Sequence, residues 1–192
     1  MTDLLPTLVS AALINNVVLH WPLGVDPLLQ SAQVERRRLH AVGIATTWVM
    51  LVATLLNYGL YHLLLLPLQL AALQLLVFLP LCIALIGPNL KLLARCLPGL
   101  SFDRLWPLLV TNAGILGLAL IATQDDRGPT HAALSSLGGG LGFWLVLVLF
   151  NDLRQRTHPE EVPLPFRGLP IELISAGLMA LAFLGFNGLF KP

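Results

Sequence analysis

Charged side chains are scarce in this chain, making up 11% of its 192 residues, where a soluble domain carries roughly 25%. Too few polar groups remain to coat a globule, so a water-covered domain is excluded. The charges present nearly cancel. Eleven basic and ten acidic residues leave a net of +1, which excludes a polybasic face for nucleic acid. Cysteine is scarce too: Cys82 and Cys96 lie in or beside apolar segments without CxxC spacing, which argues against a disulfide framework or a zinc site. The N-terminus lacks the charged region and small-residue cleavage pattern of a signal peptide, since Thr2-Asp3 precede the first apolar run. That run is expected to stay as a helix.

What the chain has is hydrocarbon. Hydrophobic residues reach 56%, with a mean hydropathy of +0.81. They fall in runs of about twenty, the length that spans a bilayer core of roughly 30 Å. The spacing predicts spans near 4–21, 39–61, 66–87, 105–122, 131–151 and 169–190. Backbone amides in lipid must bond internally, so all six are expected as helices. The chain is read as one integral membrane domain over 1–192, all-α, with the lipid bilayer as its first partner.

The intervening loops are asymmetric in charge. Arg36, Arg37 and Arg38 fall in 22–38; Lys91, Arg95 and Arg104 in 88–104; and Arg154, Arg156 and Arg167 in 152–168. The other side holds only Arg127 and Lys191. Positive loops stay in the cytoplasm, which places both termini outside it, in the periplasm of a bacterial inner membrane.

A shift of 96 residues aligns Asn16 with Asn112, Gly43 with Gly139 and Trp48 with Trp144, and lays Leu13-Ile14-Asn15-Asn16 on Leu109-Val110-Thr111-Asn112. Two repeats, about 1–96 and 97–192, would each hold three spans and so run inverted. Transport proteins use that arrangement, with the working site near the midplane. The same shift selects the polar residues most out of place. Asn15 and Asn16 interrupt the first apolar span, and Thr111 and Asn112 the fourth. A carboxamide in hydrocarbon costs on the order of 4–8 kcal/mol without partners. One reading has these amides bonding across helices, at about 1 kcal/mol each. The other has helices 1 and 4 interrupted, with the amides capping the broken ends; Pro107, Gly114 and Gly117 fit a break there. The repeat favours the second reading.

Other features read as structure. Gly138-Gly139-Gly140 with Gly142, and Gly177, Gly185 and Gly188, are expected as close helix-packing faces, because no lysine or Ser/Thr completes a phosphate loop. His20, His40, His62, His131 and His158 fall near span ends or in loops, where interface residence is favoured over metal binding. Glu172 is the one carboxylate near a span's apolar core. No Ser/His/Asp grouping is visible, and no catalytic residue is assigned.

Certain motifs resemble a known family: Leu13-Ile14-Asn15-Asn16-Val17-Val18-Leu19 with Leu23-Gly24, Ala45-Thr46-Thr47, Pro107 to Asn112, and Val162-Pro163-Leu164-Pro165-Phe166-Arg167-Gly168 followed by Ser175-Ala176-Gly177-Leu178-Met179 and Ala182-Phe183. Together they resemble the RnfA-type membrane component of the Rnf/Rsx ion-translocating electron-transport complex. That component is a relative of the paired small membrane proteins of the sodium-pumping quinone reductase, the RnfA/NqrE-like family. The resemblance runs end to end, and the tail favours the RnfA type over its RnfE-type paralogue. It implies six spans, inverted halves, an RnfE-like partner and further Rnf-type components that carry ferredoxin and nicotinamide chemistry. It also implies a 2Fe-2S cluster held by two cysteines from each member of the membrane pair.

Here the sequence departs from the family. The two ligand positions are Val25 and Ala113, neither of which binds iron, and a family glutamate is replaced by Pro88. Cys82 and Cys96 are about 14 residues apart on one expected helix, roughly 20 Å, too far to share a cluster. Both are read as small buried apolar residues, and no cofactor or metal is expected on this chain. The leading expectation is a membrane component coupling electron transfer to ion movement. The alternatives are a stand-alone small-solute transporter on the same repeat, or a scaffold component without a redox role.

Overall fold

The computed structural model describes residues 4–21, 24, 36–125, 127–157, 160 and 162–185. Every regular element among them is helical. In chain order these are α1 (Leu4–Val9), running on as a π-helical turn through Ser10–Ile14, and α2 (Arg36–Leu60), extended likewise through Tyr61–Leu65. Then come α3 (Gln74–Cys96), entered by a 3-10 turn, α4 (Trp106–Val110), α5 (Ala113–Gln124), α6 (Pro129–Arg156) and α7 (Leu169–Leu184). Proline opens three of these helices, at Pro107, Pro129 and Pro170, where its missing N–H costs nothing.

Four helical stretches are long and apolar enough to cross a bilayer: Arg36–Leu65, Ala71–Cys96, Trp106–Gln124 (α4 and α5 together) and Pro129–Arg156. Leu169–Leu184 is apolar but shorter. The chain is thus an all-helical, multi-pass membrane protein.

Several expected boundaries move. The span predicted at 4–21 is helical only to Ile14, then turns. The span predicted at 66–87 begins later and runs to Cys96. The Pro88-Asn89-Lys91 stretch reads as a loop in sequence, yet the helix passes through it because Asn89 is satisfied there. Its Nδ2 donates to the Leu85 carbonyl at 2.7 Å, and its Oδ1 accepts from Trp48 Nε1 at 2.8 Å. Lys91 and Arg95 therefore lie on the last turns of α3, where a positive charge suits the helix dipole. Residues 186–190 of the predicted last span, Gly188 among them, lie outside the described residues, as do Val25, His158 and Lys191.

The core forms where α2 and α6 press together. A Cβ on Gly43 would stand 2.2 Å from Trp144, and one on Gly140 would stand 2.6 Å from the Thr47 Cα, so only hydrogen fits at either place. Gly138 and Gly142 let α1 and its π turn equally close, against Leu8, Ala11 and Ala12. These glycines do form the expected packing face. Gly177 and Gly185 do not: nothing lies within 4 Å of where their Cβ would be. The outer faces of α3 and α7 are apolar and open, with Leu75, Leu76 and Leu79 on one and Leu178 and Leu181 on the other. Lipid or another membrane protein is the solvent such faces require.

Candidate functional site

The polar residues singled out in the sequence sit where the helices stop. After Ile14 the chain leaves helical geometry at Asn15 (φ −93°, ψ 41°). Asn16 is buried, at 1% exposure. Its Oδ1 accepts from the backbone N–H of Val18 at 3.0 Å and of Leu19 at 3.3 Å, while its Nδ2 donates to the Ala12 carbonyl at 2.8 Å. The carboxamide thus serves both sides of the gap.

The second gap repeats the chemistry. α4 ends at Val110, and Asn112, at 3% exposure, caps α5 with its Oδ1 accepting from Gly114 N at 2.9 Å. In both places an asparagine oxygen takes the N–H two residues on; at Asn112 this caps the start of α5, whereas at Asn16 it closes a turn. Thr111 folds its hydroxyl back onto the Pro107 and Leu108 carbonyls, each at 3.2 Å. Asn15 is exposed, with Nδ2 donating to Ser10 Oγ at 3.3 Å.

The two gaps adjoin. A Cβ on Gly114 would meet Val17 Cγ1 at 3.4 Å and the buried Met50 at 2.8 Å. Gly24 has φ +83°, and a Cβ there would stand 2.7 Å from Asn112 Oδ1. Sequence reasoning missed this contact; a glycine fixed by both conformation and space leaves no pattern in a single sequence. Among the described residues, four polar side-chain atoms buried within this helical core have no hydrogen-bond partner: Asn112 Nδ2, Asn57 Oδ1, and the hydroxyls of Thr46 and Thr54.

Ala113, one of the two positions at which the resemblance implies a cluster ligand, lines a cavity of about 220 Å³ between α3 and the second gap, together with Cys82 and Asn112. Its methyl group offers iron nothing. Cys82 is buried and accepts from Asn57 Nδ2 at 3.3 Å, whereas Cys96 is exposed at the far end of α3, so the expectation that both are buried fails for Cys96. No group of three or more His, Cys, Asp or Glu side chains placed for a metal occurs among the described residues.

The remaining charged groups lie toward the helix ends. Glu172 pairs with Arg154 at 2.6 Å and is largely buried, joining α7 to α6. In the turn between α5 and α6, Asp125 Oδ1 accepts from Arg127 Nε at 2.7 Å, and Asp125 Oδ2 lies 3.4 Å from His131 Nδ1. The Arg127 hydrogen bond holds the Asp125 carboxyl below its ordinary value of 3.8. Among the other histidines, His40 accepts from Trp144 Nε1 at 3.2 Å, His62 stacks on Tyr58, and His20 is exposed beside Trp21.

Similarity to known proteins gives this geometry its setting. Residues 4–190 match the model of a family described as Rnf-Nqr subunit, membrane protein. Over the full length of both chains, the sequence is 42% identical to the A-type component of the ion-translocating oxidoreductase complex of Pseudomonas paraeruginosa. It is 41% identical to the component of that name from Azotobacter vinelandii and 38% to that from Cronobacter sakazakii, again with both chains fully covered. The chain belongs to the Rnf-Nqr family of membrane proteins.

Proposed function

We propose that this chain is the RnfA-type component of an ion-translocating oxidoreductase complex in a bacterial inner membrane. Full-length identity of 42% to a relative of that type carries the reading. The paired asparagine caps give it a physical centre, because such breaks are costly in lipid and persist where they line a working site. Ferredoxin- and nicotinamide-linked electron transfer belongs to partner proteins, and the membrane part moves the ion. A paralogous RnfE-like protein is its closest partner, covering the open apolar face of α3 and the cavity beside Ala113.

The chain folds as two inverted three-span repeats that meet at Asn15, Asn16, Thr111 and Asn112, with both termini periplasmic. The shared bond from an asparagine oxygen to the N–H two residues on, at Asn16 and Asn112, supports the repeat, and nine basic residues at the helix ends and connections of one side against two on the other support the orientation. The chain holds no cluster of its own, since valine and alanine stand at the family's ligand positions.

A tagged copy extracted from its native membrane tests the assignment. The expected result is co-purification with the redox components, and loss of electron-transfer-driven ion uptake in vesicles when the gene is deleted. A chain that purifies alone and drives solute flux unaided in liposomes would overturn it.

A further inference from the structure

A second feature lies on the other side of the first gap. Between α1, α5 and the start of α6 is a recess of about 470 Å³. Its rim carries Asp125, Arg127 and His131, its walls include Ser10, Asn15 and Ser135, and Val17, Leu118 and Gly139 close its floor. From His131 to Gly139 is eight residues of α6, about 12 Å at the helical rise. The recess therefore runs from a charged helix-end cluster into the apolar part of the molecule and stops at the first gap.

What fills it is decided by its walls. Asn15 is exposed within an apolar segment and lines this recess. A primary carboxamide has four hydrogen-bonding sites, and a hydrocarbon tail can satisfy none of them. Ser10 and Ser135 line the same space, Ser135 donating its hydroxyl to the Ala132 carbonyl and Ser10 accepting from Asn15, and the rim ion pair nearly cancels its own charge, so neither sign is strongly repelled at the mouth. The volume holds on the order of ten water molecules, with polar partners at Asn15 and at the Asp125–Arg127–His131 rim. The cavity beside Ala113 differs: apart from Thr111 and Asn112 its lining is aliphatic or cysteine.

We propose that the recess is a water-filled vestibule, admitting water and small hydrated ions from the membrane face that carries Asp125 as far as Asn15. It deepens the membrane-component reading, on which it rests, by giving the chain one wet side and one dry side around its paired gaps.

The test is thiol accessibility in the intact complex in native membranes, with Cys82→Ala and Cys96→Ala as background. Single variants Ser10→Cys and Ser135→Cys are treated with a membrane-impermeant methanethiosulfonate. Thr130→Cys, exposed at the start of α6, reports the open face, and Leu181→Cys, on the outer face of α7, reports lipid. The expected result is that Ser10→Cys and Ser135→Cys react from the same side as Thr130→Cys, at least tenfold faster than Leu181→Cys. Adding Ala122→Trp, which fills the recess, slows Ser10→Cys about tenfold and leaves Thr130→Cys unchanged. Reaction of Ser10→Cys and Ser135→Cys no faster than that of Leu181→Cys overturns the vestibule. Rapid reaction of Leu181→Cys itself overturns the membrane placement instead, so the two failures are told apart.

Discussion

At the scale of single residues, Asn16 and Asn112 make the same bond, each offering a side-chain oxygen to the N–H two positions ahead. Replacing Asn112 by alanine removes the α5 cap and is expected to cost about 1 kcal/mol. Thermal unfolding of the purified complex should fall accordingly, with Asn112→Ser recovering part of the loss. Gly24 is more tightly constrained. Its φ of +83° and the closeness of Asn112 Oδ1 both act against a side chain, so Gly24→Ala is expected to cost about 2 kcal/mol or more. The asparagines are legible in the sequence because an amide inside an apolar run is expensive and stands out. Gly24 is not, because its role depends on a residue 88 positions away touching it.

At the scale of elements, α7 is held to α6 by the pair Arg154–Glu172, with the glutamate largely buried. Removing one partner leaves the other charge without compensation, and with Arg154 partly exposed the cost is about 1–3 kcal/mol. Arg154→Ala should therefore reduce the yield of folded chain more than the double variant Arg154→Ala/Glu172→Ala, as read by detergent-extracted monodisperse protein. The close crossing of α2 and α6 gives a matched test. Gly43→Ala overpacks against Trp144 at a cost of about 1–3 kcal/mol, and shrinking Trp144 to leucine in the same chain should restore part of the stability.

The turn between α5 and α6 is sensitive to acid. Arg127 keeps the Asp125 carboxyl below its ordinary 3.8, so the contribution of this pair is fully present above that value and fades as pH falls through the depressed one. Asp125→Asn should flatten the acid limb of a stability profile and leave neutral pH almost unchanged, the pair being solvent-exposed.

Element boundaries show where sequence patterning fails. Hydropathy ends α3 too early because Pro88, Asn89 and Lys91 resemble a loop. The helix continues because Trp48, on another helix, and the Leu85 carbonyl take up the Asn89 amide. The glycine-rich stretch of α6 is legible as a packing face because its spacing presents several small residues to neighbours. Gly177 and Gly185 share that composition but face open space, so composition alone does not mark a packing face.

At the scale of the whole molecule, hydropathy alone is enough to give a multi-pass helical membrane protein, because lipid leaves a backbone few other choices. It does not give the recess walled by Ser10, Asn15 and Ser135, which needs three separate elements brought together. The family resemblance carries the assignment to the RnfA type. The residues themselves carry the departure from it: Val25 and Ala113 stand where the resemblance implies cysteine. Any iron this chain still ligates through sulfur must come from Cys82 or Cys96. The deciding measurement is the iron and acid-labile sulfide content of the intact purified complex, compared with that of a Cys82→Ala/Cys96→Ala variant. The account predicts the same iron per complex in both. Loss of stoichiometric iron from the variant, with the complex still assembled, would contradict it.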